Sequence, residues 1–96
     1  MKIDFNKIDD TLNISLDGRL DTITAPELDD FLKLNLIGAK SVILDCEKLV
    51  YISSAGLRVL LSLNKKMKNS LTLLNVQELV MEVLEVTGFV NILEIK

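Results

Sequence analysis

No histidine occurs in these 96 residues, and that absence narrows the chemistry more than any other. Histidine is the usual base beside a Ser or Cys nucleophile and the commonest metal ligand. A hydrolase built here would need lysine as its base, yet none adjoins the one serine pair, Ser53-Ser54. Acidic residues are scattered, so neither a paired-carboxylate site nor a metal site follows from spacing. No Walker loop or G-x-G-x-x-G occurs, and Ala55-Gly56 stands alone. The chain reads as a binding protein and not an enzyme, with no cofactor and no metal.

Other shortages point the same way. A single cysteine, Cys46, rules out an internal disulfide and suits a reducing compartment. Beside Val42-Ile43-Leu44 it reads as a buried, inert thiol. Basic residues number 11 against 14 acidic ones, a net charge of −3, which speaks against nucleic acid as partner. The one basic cluster, Lys65-Lys66-Met67-Lys68, reads as the solvated end of a helix. No signal-peptide core opens the chain, and no apolar run approaches the roughly 18 residues that span a bilayer. The expectation is a small soluble protein, cytoplasmic and monomeric, with no membrane contact.

What the sequence has is aliphatic. Hydrophobic residues make up 49% with only three Phe, one Tyr and no Trp, enough for one compact core and one domain, residues 1–96. Residues 2–8 read as a half-buried strand, and 11–17 alternate Leu12, Ile14 and Leu16 against polar neighbours, predicting a hairpin. Thr24-Ala25-Pro26-Glu27 reads as a capping box opening a helix over 25–36, with Gly38 as its left-handed stop. Residues 41–46, built on the apolar run Val42-Ile43-Leu44 with no alternation, read as a central strand covered on both faces. A second helix follows over about 55–68, with Gly56, Leu60, Leu63 and Met67 on one side and Arg58, Ser62, Lys65 and Lys66 on the other. A short strand (71–74), a helix capped within Asn75-Val76-Gln77-Glu78 and stopped by Gly88, and a last strand (91–95) complete the order β-β-α-β-α-β-α-β. That order predicts an α/β fold: a mixed sheet with parallel βαβ units, an N-terminal hairpin and helices packed on the sheet.

The junction Ser53-Ser54-Ala55-Gly56 holds the chemistry. One of the two serines serves as N-cap of the second helix, and a cap needs only one hydroxyl. Small Ala55 and Gly56 are expected to leave backbone N–H groups open to a large partner. A phosphate here would meet the positive end of the helix and add about −1.5 to −2 charges, enough to break a close-fitting interface.

The run Leu49-Val50-Tyr51-Ile52-Ser53-Ser54-Ala55-Gly56-Leu57-Arg58-Val59-Leu60-Leu61 resembles the signature of STAS domains, specifically bacterial anti-sigma factor antagonists. Supporting matches are Asp17-Gly18-Arg19-Leu20-Asp21 with Thr24-Ala25, Val42-Ile43-Leu44-Asp45, and Val86-Thr87-Gly88-Phe89. The resemblance spans nearly the whole chain and implies a SpoIIAA-like fold. It also implies a switch. The unphosphorylated antagonist binds an anti-sigma factor, a GHKL-type serine kinase, and so frees the sigma factor. The kinase phosphorylates a serine at the start of the second helix, and a PP2C-type phosphatase reverses the step. The matching acceptor is Ser54, with Ser53 in reserve, and Asp21 matches the family's acidic loop residue. The resemblance brings Thr22 and Thr24 near Ser54 with it. One position departs: many members carry an acid before the acceptor, where this chain has Ser53, and Ser or Thr after it, where it has Ala55. That departure keeps an alternative open, a STAS subunit of another regulatory or lipid-transport complex without a phosphorylation cycle.

Helical spacing adds one expectation. Positions 57, 58 and 61 share a side with Ser54, so Leu57 and Leu61 are expected to be partly exposed as an apolar contact, with Arg58 as charged rim.

Overall fold

A computed structural model describes all residues, Met1–Lys96. Strands β1 (Lys2–Ile8) and β2 (Thr11–Leu20) form an antiparallel hairpin, turned at Asp9 with φ 54°. Helix α1 (Ala25–Asn35) leads to β3 (Ser41–Ile52), then α2 (Ser54–Lys66), β4 (Leu71–Leu74), α3 (Glu78–Val86), a short 3-10 turn (Phe89–Asn91) and β5 (Glu94–Ile95). The sheet runs β1-β2-β3-β4-β5, with every pair after the hairpin parallel. No helix is long and apolar enough to cross a membrane.

Register explains the core. Leu12, Ile14 and Leu16 of β2 lie beside Val42, Leu44 and Cys46 of β3, and these beside Leu71 and Leu73 of β4. Leu28 and Leu32, Leu57, Leu60 and Leu63, and Val80 and Leu84 bring all three helices onto that face, in one cluster of 21 buried residues. Each fully buried leucine stabilises the fold by roughly 1.5–3 kcal/mol.

The opposite face stays open, which corrects the expectation of a doubly covered β3. Its first half alternates in burial: Val42, Leu44 and Cys46 are buried, while Ser41, Ile43 and Asp45 are half-buried. Thr11, Asn13 and Ser15 continue that second face, where the Thr11 and Ser41 hydroxyls meet at 2.8 Å. No helix packs against it, because all three cover the other side.

Two strands run further than their patterns predict. β2 continues through Gly18 to Leu20, and β3 continues to Ile52, with register shifts between Ser15 and Asp17 and between Gly18 and Arg19. Gly18 adopts φ 117°, backbone open to glycine, so it bends β2 within the pairing and does not end it. The last strand shrinks to two residues because Phe89–Asn91 coils as a 3-10 turn.

Helix ends also differ in detail. The box predicted at Thr24-Glu27 forms three residues earlier: the Asp21 carboxylate accepts the Thr24 N–H at 3.1 Å, and the Thr24 hydroxyl accepts the Asp21 N–H at 2.9 Å. Thr24 makes no side-chain cap on α1. Asn75 adopts φ 57° and donates to the Asp45 carboxylate, and Gln77 donates to the Glu47 carbonyl. Both tie the start of α3 to β3, where the pattern predicts capping.

Candidate functional site

The extended β2–β3 pairing builds the site. Leu20 is the register partner of Ile52, and the Ser53 N–H donates to the Leu20 carbonyl at 2.9 Å. The chain leaves β2 at Asp21 and β3 at Ser53, so the two loops emerge side by side. Parallel strands place such loops together at their carboxyl ends, the usual binding edge of an α/β sheet.

Gly56 locks α2 onto that edge. A methyl group there would stand 2.7 Å from the Leu20 side chain and 3.0 Å from both the Ile52 side chain and the Leu20 carbonyl. Gly56 is buried, which corrects its expected place on the partner surface. Its smallness admits this chain's own β2, not an outside molecule. Ala55 is half-buried beside it.

The two serines divide their work. Ser53, in extended backbone at φ −103° and ψ 176°, caps α2 by accepting the Gly56 N–H at 3.5 Å. Ser54 is the first helical residue, exposed, and its hydroxyl has no partner within the chain. One turn later Arg58 donates Nε to the Ser54 carbonyl at 3.4 Å. Arg58 is exposed and forms no salt bridge.

The Asp21 loop is held by its own side chains. Asp21 Oδ1 accepts from the Ile23 and Thr24 N–H groups at 3.0 and 3.1 Å, while the Thr24 hydroxyl donates to the Arg19 carbonyl at 2.7 Å. The Thr24 backbone bond chiefly lowers the Asp21 carboxyl below its ordinary 3.8, with Ile23, the Thr24 hydroxyl and Arg19 adding to it against partial desolvation. Thr22 is exposed, and Ile23 is 80% exposed at the loop tip. Sequence reasoning missed Arg19 and Tyr51. Register partners at the strand ends, they stack with the guanidinium 4.2 Å from the ring centroid, and Arg19 Nε lies 3.7 Å from Asp21 Oδ2. Seeing them requires β2 to run past Gly18.

Between α1 and α2 lies an open groove of about 330 Å³, lined by Thr22, Ala25, Pro26, Asp29, Ala55, Arg58, Val59 and Ser62. Two of its lining residues, Ala55 and Arg58, follow Ser54 on α2. Leu57 is buried at 5% exposure and belongs to the core, because its side chain points inward at the close approach of α2 to the sheet. That corrects its expected exposure. Leu61 is half-buried.

Residues 2–96 match the family model described as STAS domain. The chain belongs to the STAS-domain family. This STAS domain is 38% identical over 96 residues to BtrV of Bordetella bronchiseptica, a candidate anti-sigma factor antagonist, covering 96% of this chain and 83% of that protein. Its fold matches a candidate anti-sigma factor antagonist from Thermotoga maritima with TM-score 0.88 at 20% identity, over 97% of this chain and 84% of the other. It also matches the Bacillus cell fate determinant SpoIIAA in its phosphorylated form, with TM-score 0.74 at 17% identity, over 99% and 91% of the two chains. Both the Bordetella relative and the Thermotoga structure are described as anti-sigma factor antagonists.

Elsewhere this STAS domain carries little reactive chemistry. Cys46 is buried in the core, and desolvation first, then the Asp45 charge, pushes its thiol up to about 12. No group of three or more Cys, Asp or Glu side chains is placed to hold a metal ion.

Proposed function

We propose that this STAS domain is an anti-sigma factor antagonist, acting in the cytoplasm as a monomer and switched by phosphorylation of Ser54. Unphosphorylated, it binds a GHKL-type serine kinase that serves as anti-sigma factor, and so frees the sigma factor. The binding surface comprises Asp21, Thr22 and Thr24, the Ser53–Ala55 turn, Arg58 and Leu61. Phosphate on Ser54 adds about −1.5 to −2 charges to a chain already at −3, directly at the contact. A PP2C-type phosphatase restores the binding form.

The observation that carries this reading is the division between the serines. Ser53 commits its hydroxyl to the cap, leaving the Ser54 hydroxyl exposed and without a partner beside the Asp21 loop. Incubation with the kinase and ATP, followed by mass spectrometry, tests it. Phosphate should appear on Ser54 and vanish in Ser54→Ala; no phosphate on either serine sinks the switch.

One feature favours a second reading. The first turn of α2 holds no acid, so Ser53 supplies a cap where many relatives supply charge. The same surface would then bind its partner constantly, as a subunit of a lipid-transport or stress-signalling assembly. A stable complex that incorporates no phosphate would select it.

A further inference from the structure

We infer that the α1–α2 groove receives a carboxylate-bearing segment of the anti-sigma partner, and that phosphate on Ser54 competes with that carboxylate for Arg58. The inference rests on the proposed function and assigns it a recognition chemistry. Among the residues lining the groove there are two charges, Asp29 and Arg58. Asp29 is already neutralised by Lys33, one turn along α1, at 3.2 Å. Arg58 has no acidic partner anywhere in the chain and rests on the neutral Ser54 carbonyl. The groove therefore offers an incoming group one unpaired cation, set between the apolar flanks of Ala25, Pro26, Ala55 and Val59.

A carboxylate fits that setting in charge and in shape. Arginine has five N–H donors in a planar fork matched to carboxylate oxygens, and here only Nε is engaged. An apolar neighbour on the same partner segment would fill the space beside it. Ile23, next to Thr22 at the lip of the groove and 80% exposed, extends the apolar surface toward the partner.

The same guanidinium lies within reach of a phosphate on Ser54. Residues four apart on a helix are neighbours on one face, and Arg58 Nε is already 3.4 Å from the Ser54 backbone. A dianion attached to Ser54 displaces a partner carboxylate from the fork, because it is covalently held at the site and carries more charge. Drawing Arg58 to the phosphate removes the groove's one free cation. A modification one residue before the groove's Ala55 is thereby felt inside the groove through Arg58, with no movement of the backbone.

The first arm of the test needs no partner. Phosphoserine is incorporated at position 54, and the phosphate is titrated by phosphorus NMR in the parent, Arg58→Ala and Arg58→Lys proteins. A nearby cation favours the dianion, so the second phosphate pKa should be lower by about half a pH unit in the parent than in Arg58→Ala, and Arg58→Lys should restore part of the difference. Identical titrations overturn the competition. The second arm measures binding of the unphosphorylated chain to the kinase that phosphorylates it. Arg58→Ala should weaken binding about tenfold and Arg58→Glu further, at unchanged melting temperature, with acid substitutions in the partner giving no added loss in the Arg58→Ala background. Parent-like binding by Arg58→Ala overturns the carboxylate assignment. Self-association that Arg58→Glu abolishes would put a second copy in the groove and overturn it too. If the phosphoserine protein binds the kinase as tightly as the unmodified chain, the switch itself fails, whatever Arg58 does.

Discussion

The Leu20 carbonyl sits 3.0 Å from where a Cβ on Gly56 would stand, and 2.9 Å from the Ser53 nitrogen that donates to it. One backbone oxygen thus fixes both the start of α2 and its distance from β2. Gly56→Ala should push α2 outward and lower stability by about 1–3 kcal/mol. Urea denaturation checks the cost. A stability equal to the parent's would show that the approach is not tight in solution.

The two hydroxyls should separate by assay. Ser53→Ala removes the cap and should cost about 0.5–1 kcal/mol, the low end for caps because its hydrogen bond is long. Ser54→Ala removes an exposed hydroxyl with no partner and should change stability by less than about 0.5 kcal/mol. In a kinase assay the order inverts: Ser54→Ala should abolish phosphate uptake while Ser53→Ala keeps it.

Leu57 and Leu61, one turn apart, should also part company. Leu57→Ala empties a core position and should cost about 2–5 kcal/mol. Leu61→Asp, on a half-buried flank, should cost only about 1 kcal/mol while weakening the kinase complex. If Leu61→Asp unfolds the protein as readily as Leu57→Ala does, Leu61 is core and leaves the binding surface.

Cys46 should resist alkylation at pH 8 in the native state and react on unfolding. Its thiol is pushed from 9.0 to about 12, so the unfolded chain loses this proton first as pH rises. The thiol's contribution to stability is therefore complete below about pH 9 and lost between about 9 and 12. Iodoacetamide labelling read by mass spectrometry, across that range and with denaturant, checks both statements.

Asp21 carries the opposite sign. Its carboxyl is lowered in the fold, so its contribution is present above 3.8 and lost as pH falls through the lower folded value. Asp21→Ala frees the Ile23 and Thr24 N–H groups and should speed their hydrogen exchange, leaving the exchange of the core strands untouched. Unchanged exchange at both amides would remove Asp21 as the organiser of the loop.

Helices α1 and α2 are legible in the sequence from their apolar spacing, with Pro26 and Gly38 marking the ends of α1 and the serine pair marking the start of α2. The second half of β3 is not. Asp45-Cys46-Glu47-Lys48 has the composition of a loop, and it becomes strand only by pairing, after two register shifts, with a β2 that continues past Gly18 to Leu20. The cap at the α1 turn escapes the sequence for a related reason. Thr24-x-x-Glu27 and Asp21-x-x-Thr24 both fit the box pattern. The one that forms is the one whose N–H groups reach the opposite side chain, Thr24 N–H to the Asp21 carboxylate and Asp21 N–H to the Thr24 hydroxyl. At the site, position and residue type point to Ser54 and the Asp21 loop. They do not show that Gly56 and Leu57 face inward, since that depends on how closely α2 approaches β2.

The late register shifts also bear on kinetics. β2 and β3 are parallel and separated by a helix, so their pairing closes a long loop and is slow to form and quick to fray at its ends. Leu20 and Ile52 are the terminal rung of that zipper. A nascent or partly opened chain can therefore hold most of its core while keeping Asp21 and Ser54 apart. Asp21 and Ser54 come to stand side by side only once that last rung has closed.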